Sequence, residues 1–240
     1  MEMAVIMIRI DKYLADMGVG TRSEVKKYIR QGKVEVDHMV VKEPEQKVDI
    51  ETQHITYMGQ AIVYESFVYY MLNKPAGVVS ATTDEKDKTV LDLIQDKKRK
   101  DLFPVGRLDK DTEGLLLITN DGELAHRLLS PKKHVDKVYY AKVEGAVTEE
   151  DQQMFAQGIS IGDGEMTKPA KLEILVSDEI SEIRLTIQEG KFHQVKRMFQ
   201  AVGKNVIYLK RLSMGSLQLD EQLGLGEYRL LTKEEIEQLC

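Results

Sequence analysis

The residues best suited to chemistry lie in one charged loop, within the stretch GRLDKDTEGLLLITNDG at residues 106–122. Its first half carries five charged side chains, which are Arg107, Asp109, Lys110, Asp111 and Glu113. An apolar run follows at residues 115–119, and its position between a glycine and an Asn-Asp-Gly turn predicts a buried strand. Catalytic groups concentrate in loops held by rigid strands, although a charged surface loop feeding a core strand is an equally good interpretation of these residues alone.

A carboxylate is the strongest nucleophile that the sequence offers. The chain has no Walker phosphate loop, no G-x-G-x-x-G motif, no G-x-S-x-G elbow and no H-E-x-x-H pair. Its one cysteine is Cys240, so we expect neither a disulfide framework nor a cysteine-based metal site. Carboxylates form covalent adducts at sugar carbons, and Asp109 is therefore chemically able to act as a nucleophile.

Short strands and helices must position this loop. Apolar runs predict further strands, which lie at residues 67–72, 137–143, 171–176, 183–188 and 206–212. Helical spacing and capping signals predict helices at residues 122–130, 148–157 and 192–202, and a last one behind Thr232. Strands and helices that do not alternate regularly predict an α+β fold with a largely antiparallel, mixed sheet.

The N-terminal part of the chain has a pattern of its own. Apolar residues at helical spacing predict a helix at residues 10–17, and Thr21 with Glu24 forms a capping box that begins a second helix. Alternating residues at 33–41 predict a hairpin. The sequence therefore predicts a small domain of two helices and a hairpin.

The net charge of the 240-residue chain is −6, but its cations gather in two islands. Residues 9–33 contain seven basic and three acidic residues, and residues 191–211 contain six basic residues and no acidic one. The second predicted helix and its flank carry the cations Arg22, Lys26, Lys27, Arg30 and Lys33. Such islands predict a surface for nucleic acid, with solvated faces as the alternative. The basic run at residues 97–100 predicts a solvated loop, with contact to RNA phosphates as the alternative.

The charged loop resembles the signature of the pseudouridine synthases, in the branch that modifies bacterial ribosomal RNA. The G-R-L-D motif carries the resemblance, together with M-L-N-K-P-A-G-V-V-S at residues 71–80 and E-G-K-F-H-Q-V-K-R-M at residues 189–198. The resemblance implies that the bond between uracil N1 and ribose is broken, the base rotates, and C5 is joined to the sugar. This isomerisation needs no cofactor and no metal.

The resemblance also implies roles for single residues. Asp109 would be the catalytic residue, which attacks the sugar or the base or removes a ribose proton, and the sequence leaves these routes open. Arg107 would enter the RNA helix or hold phosphate around an extruded nucleotide, with a structural ion pair as the alternative. Tyr139, the third residue of K-V-Y, would pack against the uracil.

The last of these motifs implies two further contacts in the site. Lys191 would form an ion pair with Asp109 and keep the carboxylate charged, and Val195 would line the uracil site. Lys196 and Arg197 are predicted to contact RNA; without the resemblance they would be the solvent-facing side of a helix.

Residues 8–57 resemble the S4-type RNA-binding domain through R-I-D-K-Y-L, T-R-S-E-V-K-K-Y-I and G-K-V-E-V-D. This resemblance predicts that the cations of the second helix, which are Arg22, Lys26, Lys27, Arg30 and Lys33, contact RNA phosphates. The predicted organisation is an S4-like domain at residues 1–60, a linker at 61–66 and a catalytic domain at 67–240.

Within the family, the chain is most similar to the 16S rRNA pseudouridine(516) synthases. The stretches T-K-P-A-K-L-E-I-L and L-G-x-G-E-Y-R-L-L-T-K-E-E-I add to this similarity. We therefore expect 16S ribosomal RNA, or an assembly intermediate of the small subunit, as the partner of a cytoplasmic monomer without membrane contact. Residues 1–10 predict an extension and a first strand rather than a signal peptide.

Three alternatives stay open at this point. The same chemistry could serve a site in 23S rRNA, since the G-R-L-D core is shared with enzymes of the large subunit. A non-catalytic RNA-binding or ribosome-assembly protein could keep the fold. A glycosidase acting on another sugar-linked substrate would need a second carboxylate, for which Asp111 and Glu113 are the nearby candidates.

Overall fold

The computed structural model describes residues 6–130 and 133–239, and the chain divides into two compact units. Unit 1 contains the described residues up to Val68 together with Gln95–Leu102, and unit 2 contains Tyr69–Ile94 and the chain from Phe103 onward. Residues 1–5, which begin the predicted extension and first strand at residues 1–10, lie outside the described residues, as does Cys240. The predicted boundaries of domains and linker stay a prediction.

Unit 1 consists of two helices and short strands around one core. Its elements are β1 (Met7–Arg9), α1 (Ile10–Asp16), α2 (Arg22–Arg30), β2 (Val34–Val36), β3 (Met39–Val40), β4 (Lys47–Asp49), β5 (Ile55–Tyr57) and β6 (Gln60–Ala61). The strands form a two-stranded sheet, β1-β4, and a four-stranded sheet in the order β3-β2-β5-β6. Apolar residues of both helices and of β2 and β5 make the core of this unit.

Local sequence explains the form of unit 1. The capping box is present, because Glu24 N donates to Thr21 Oγ1 at 3.3 Å and Thr21 N donates to Glu24 Oε2 at 2.8 Å. Asp37 and His38 have φ angles of 49° and 67°, as a two-residue hairpin turn requires. The predicted arrangement of two helices and a hairpin is confirmed.

The basic run at residues 97–100 is not simply a solvated loop, and that prediction was wrong for Arg99. Its side chain is 3% exposed and belongs to unit 1. Its guanidinium lies 2.7 Å from Asp101 and 3.4 Å from Asp16, and it donates to the Glu65 carbonyl at 2.8 Å. These partners replace the water that a buried cation loses.

Unit 2 is built on one mixed sheet. Its elements are β7 (Tyr69–Lys74), β8 (Phe103–Pro104), β9 (Glu113–Thr119), α3 (Gly122–Leu129), β10 (Lys137–Glu144), α4 (Glu149–Gln157), β11 (Lys171–Val176), β12 (Ile180–Ile187), α5 (Gln194–Ala201), β13 (Asn205–Met214), β14 (Leu217–Gln218), β15 (Tyr228–Leu230) and α6 (Lys233–Leu239), with a 3₁₀ turn at Val90–Leu93. The strand order is β11-β12-β10-β13-β9-β7-β15, with β14 beside β13 and β8 beside β9.

Most ladders of this sheet are antiparallel, and β9 pairs with β13 in parallel. The predicted α+β class with a largely antiparallel sheet is confirmed. Buried apolar residues of β7 and β9 pack with Leu124 and Leu128 of α3 and with Leu239 of α6. Among the described residues, no helix is long and apolar enough to cross a membrane.

The parallel ladder brings two backbones very close at Gly114. Gly114 pairs with Arg211, and its φ angle is +99°. A Cβ atom at this position would lie 2.2 Å from the carbonyl oxygen of Arg211. Only glycine therefore permits the close approach that joins β9 to β13.

We expect Gly114→Ala to lower the free energy of unfolding by about 3 kcal/mol or more, because it adds a backbone clash to a strained φ angle. Gly122→Ala is the matched control, since a Cβ there meets no atom within 4 Å, and we expect its change to stay within about 0.5 kcal/mol. Denaturant unfolding measures both. Equal midpoints for the two variants would contradict this account of the ladder.

Candidate active site

The loop between β8 and β9 is held from beneath by one buried ammonium group. Lys74, at the end of β7, is 0% exposed. Its Nζ donates to the carbonyl oxygens of Pro75 at 3.0 Å, Asp109 at 3.0 Å, Lys110 at 3.3 Å and Thr112 at 2.8 Å. Burial lowers the pKa of Lys74 to about 8, although Asp111 and Asp109 act to raise it. These hydrogen bonds therefore fix the loop backbone at Asp109, from which the side-chain carboxylate projects.

The carboxylate of Asp109 meets the first turn of α5. Its Oδ2 atom lies 3.3 Å from Lys196 Nζ, and its Oδ1 atom lies 3.6 Å from His193 Nε2. Lys196 Nζ also donates to Asp111 Oδ1 at 2.6 Å. Burial acts to lower the pKa of Lys196, but the two carboxylates outweigh it and raise that pKa. The Lys196 hydrogen bond lowers the pKa of Asp111.

The predicted ion pair between Lys191 and Asp109 was wrong. Lys191 Nζ lies 3.8 Å from Glu165 Oε1, and the position beside Asp109 is taken by Lys196. Lys191 lies in the loop before α5, where its backbone N–H donates to Gln194 Oε1 at 2.9 Å. Lys196 is the third residue of α5, and the first turn of this helix directs its side chain to the Asp109 loop.

A cavity of about 450 Å³ opens beside Asp109. Four of the predicted contact residues line it: Arg107, Tyr139, Lys191 and Val195. Tyr139 and Val195 are buried, with 7% and 5% exposure, whereas Arg107 is exposed. The structure thus brings these predicted residues to one cavity, with an aromatic ring inside it and a cation at its edge.

The His193 ring lies beside the Asp109 carboxylate and stacks on the ring of Phe192. His193 precedes α5 with a φ angle of 48°, and its ring stacks on Phe192 with 3.8 Å between the centroids. Phe192 is 71% exposed. A left-handed conformation in a residue other than glycine is strained, and such strain concentrates at functional sites.

Sequence reasoning missed several contributors to this site. Lys74 lies in the N-K-P-A-G stretch, which carried the resemblance but gave no role to the lysine. His193 lies two residues after Lys191 in the last motif, and this position does not reveal that its ring approaches Asp109. Arg211 also lines the cavity and is only 2% exposed. The alternating pattern of its strand did not indicate that this arginine is buried in the site.

Arg197 lies within the protein rather than on a free helix face. Its Nη1 atom donates to Glu165 Oε2 at 2.6 Å, and its Nε atom donates to the Ile161 carbonyl at 2.9 Å. These contacts tie α5 to the loop at residues 161–165. RNA contact by Arg197 stays a prediction, and its placement favours a structural role.

In unit 1, a buried carboxylate gathers the predicted RNA-binding cations. Asp11 is 0% exposed and lies 2.8 Å from Arg9, 3.3 Å from Arg22 and 3.8 Å from Lys26. Burial acts to raise the pKa of Asp11, but the hydrogen bonds from Arg9 and Arg22 outweigh it and lower that pKa. The remaining predicted cations, Lys27, Arg30 and Lys33, are exposed. Within the described ranges, no group of three or more His, Cys, Asp or Glu residues is placed to hold a metal ion.

Comparison with known families identifies the chain. Residues 68–201 match the RNA pseudouridylate synthase family, and residues 8–54 match the S4 domain family. The chain belongs to the RNA pseudouridine synthases and carries an S4 domain. It is an isomerase, as the family resemblance predicted.

Relatives match over nearly the full chain. An uncharacterized RNA pseudouridine synthase of Bacillus subtilis is 51% identical, covering 95% of this chain and 97% of the relative. The ribosomal small subunit pseudouridine synthase A of Vibrio cholerae is 42% identical, covering 95% and 98%. A crystal structure of a pseudouridylate synthase has a TM-score of 0.69 and 40% identity, covering 97% of this chain and 100% of that one.

The site distinguishes two lysines that are five positions apart in sequence. We expect Lys196→Met to lower the single-turnover rate of pseudouridine formation by about 100-fold or more, because it removes the charge beside Asp109 and leaves Asp109 and Asp111 to repel each other. Lys191→Met should lower the same rate by less than about tenfold, because Lys191 pairs with Glu165 and not with Asp109. Saturating RNA isolates the effect on the chemical step, and an equal loss in the two variants would contradict this assignment.

Proposed function

We propose that this enzyme isomerises a uridine of bacterial 16S ribosomal RNA to pseudouridine, with Asp109 as the catalytic residue. The observation that carries the proposal is the position of the Asp109 carboxylate, which lines the cavity and lies 3.3 Å from Lys196 Nζ. A carboxylate at this position can attack C1′ or remove the proton from C2′. Either route frees the uracil for rotation.

The other residues of the cavity are assigned to holding the nucleotide. The cavity lies inside the protein surface, so a uridine in folded RNA must leave its stack to reach Asp109. Arg107 is exposed at the cavity and would hold phosphate or fill the space that the uridine leaves. The buried ring of Tyr139 offers a flat face for stacking, which suits a base that makes a half-turn about its N3–C6 axis and so exchanges N1 with C5 and O2 with O4.

Ribosomal RNA is the proposed substrate because similar proteins are named as synthases of the small ribosomal subunit. Enzymes named ribosomal small subunit pseudouridine synthase A, at 39–42% identity, match over 95% of this chain. An assembly intermediate of the small subunit would present the same RNA. A modified site in 23S rRNA is the alternative, since it would use the same catalytic loop.

The S4 domain would hold the RNA by its phosphates. In this assignment Asp11 positions Arg22 and Lys26, while Lys27, Arg30 and Lys33 extend the cationic surface along and beyond α2. Such contacts position the substrate without reading its sequence. Residues 1–60 would then act as the RNA-binding domain that delivers the uridine to the cavity.

Pseudouridine mapping tests the reaction and the substrate together. Ribosomal RNA from cells without the gene should lose pseudouridine at one small-subunit position. The wild-type gene should restore it, whereas Asp109→Asn, which keeps the shape of the side chain but not its charge, should not. Loss of a pseudouridine in the large subunit instead would show that 23S rRNA is the substrate. Restoration of the pseudouridine by Asp109→Asn would show that Asp109 is not the catalytic residue.

The S4 assignment is tested by the salt dependence of RNA binding. We expect the double variant Lys26→Gln and Arg30→Gln to reduce the slope of log K against log salt by about 1 to 2, since each phosphate contact contributes about 0.7 to 0.9. Lys171→Gln removes an exposed lysine from β11 and should leave the slope unchanged. An unchanged slope in the double variant would refute phosphate contacts by α2.

A further inference from the structure

The floor of the cavity holds polar groups that the reaction described above does not use. Arg211 is 2% exposed and Thr112 is 1% exposed, and both line the cavity. Among the residues described, Arg211 Nη2 and Thr112 Oγ1 are buried without a hydrogen-bond partner. Buried polar atoms in proteins are nearly always paired, so two orphaned donors at one cavity indicate a ligand with acceptor atoms.

The sheet register places Arg211 on the same face of the sheet as Tyr139, the proposed stacking partner of the uracil. Arg211 of β13 is paired with Tyr139 of β10, and residues directly opposite in neighbouring strands project from the same face of the sheet. Arg211 is also anchored, because its Nε atom donates to the Leu115 carbonyl at 2.8 Å. The Arg211 side chain is therefore anchored at Nε and projects from the same face of the sheet as Tyr139.

A second buried cation lies on the same face. Lys137 is two residues before Tyr139, is 7% exposed and lines the cavity. Burial lowers the pKa of Lys137, and the charge of Arg211 lowers it further. In the described part of the chain, neither cation has a carboxylate within 4.0 Å, in contrast to Lys196 at the cavity edge. Asp136 and Glu189 act on Lys137 from a longer distance and raise its pKa, but less than burial lowers it. Two buried cations without a close carboxylate favour a ligand that carries negative charge.

We propose that Arg211 and Thr112, supported by Lys137, bind the uracil oxygens and stabilise the uracil anion formed when the base leaves the ribose. This inference rests on the proposed function and names further catalytic groups for it. When the C1′–N1 bond breaks, its electron pair stays on N1 and is delocalised to O2 and O4. C1′ becomes bonded to Asp109 oxygen, or forms a double bond to C2′ after Asp109 takes the C2′ proton.

The same donors serve the return step. C5 of the rotated uracil provides the electron pair for the new bond to C1′, C5 then loses its proton, and N1 gains one, so that the product is an isomer of the substrate. The sugar is released from Asp109, or C2′ recovers its proton. Fixed donors that hold the anion's oxygens allow the ring to turn without leaving the cavity.

The leaving-group dependence of cleavage tests this role. Fluorine at C5 withdraws electrons and stabilises the anion of the departing base, so 5-fluorouridine in RNA needs less help from the protein. We expect Thr112→Val and Arg211→Lys to slow the cleavage of uridine by about 10² to 10³-fold, as the loss of one preorganised donor does. In the same variants, the fold-decrease in the cleavage rate of 5-fluorouridine should be at least ten times smaller than that of uridine. The affinity for RNA should stay unchanged.

The controls separate this role from a structural one. Thr56→Val replaces a buried threonine of unit 1 and should behave as wild type on both RNAs. Thr112→Val keeps the volume of the side chain and removes only the hydroxyl group. It therefore tests the donor role even if Arg211→Lys fails to fold. An equal slowing on both RNAs, or no slowing in folded Thr112→Val, would overturn the inference while leaving Asp109 chemistry intact.

A binding measurement keeps the inference separate from the choice of RNA. 5-Nitrouracil is an anion near neutral pH, whereas uracil is neutral. We expect calorimetry on the full chain to show at least tenfold tighter binding of 5-nitrouracil than of uracil, and Thr112→Val and Arg211→Lys to abolish this preference. Wild-type protein that binds the two bases equally would overturn the anion site, whichever RNA is the substrate.

Discussion

The buried ammonium group of Lys74 is the interaction on which the catalytic loop depends. Removing a charged group from water costs several kcal/mol, and here four backbone carbonyl oxygens, from Pro75, Asp109, Lys110 and Thr112, replace the lost hydration. The same hydrogen bonds fold the loop into one conformation. Asp109 can therefore meet Lys196 of α5 although the two residues lie far apart in sequence. Without a fixed loop, the ion pair would have to order the backbone by itself.

The sheet supplies the other half of the site. Strand β13 lies between β10 and β9. Gly114 permits the close parallel approach of β13 to β9, the strand that follows the Asp109 loop. The register of β10 and β13 then pairs Tyr139 with Arg211. An aromatic face and a buried cation thus lie on the same side of the sheet as α5, and a carboxylate stands at the edge. This arrangement suits a substrate that is flat, rich in acceptors and bound through a sugar.

Local patterns predicted much of this structure, and long-range pairing limited the rest. The capping box at Thr21 and Glu24, the strand behind Asp109 and the basic helix α2 follow from neighbouring residues, so the sequence revealed them. Which lysine reaches Asp109 depends on the direction of the first turn of α5, and a motif does not record that direction. Arg211 was missed because the pairing of β13 with β10 decides what its side chain faces. The assignment of Gln95–Leu102 to unit 1 likewise depends on contacts distant in sequence.

We expect the uracil of the target nucleotide to enter the cavity between Asp109 and Tyr139. A crystal structure of the enzyme with an RNA fragment that carries 5-fluorouridine at the mapped position would show where the base binds. The base should be extruded from the RNA and lie against Tyr139, with the ribose next to the Asp109 carboxylate. A base that remains stacked in the RNA, or that binds outside the cavity, would contradict this expectation.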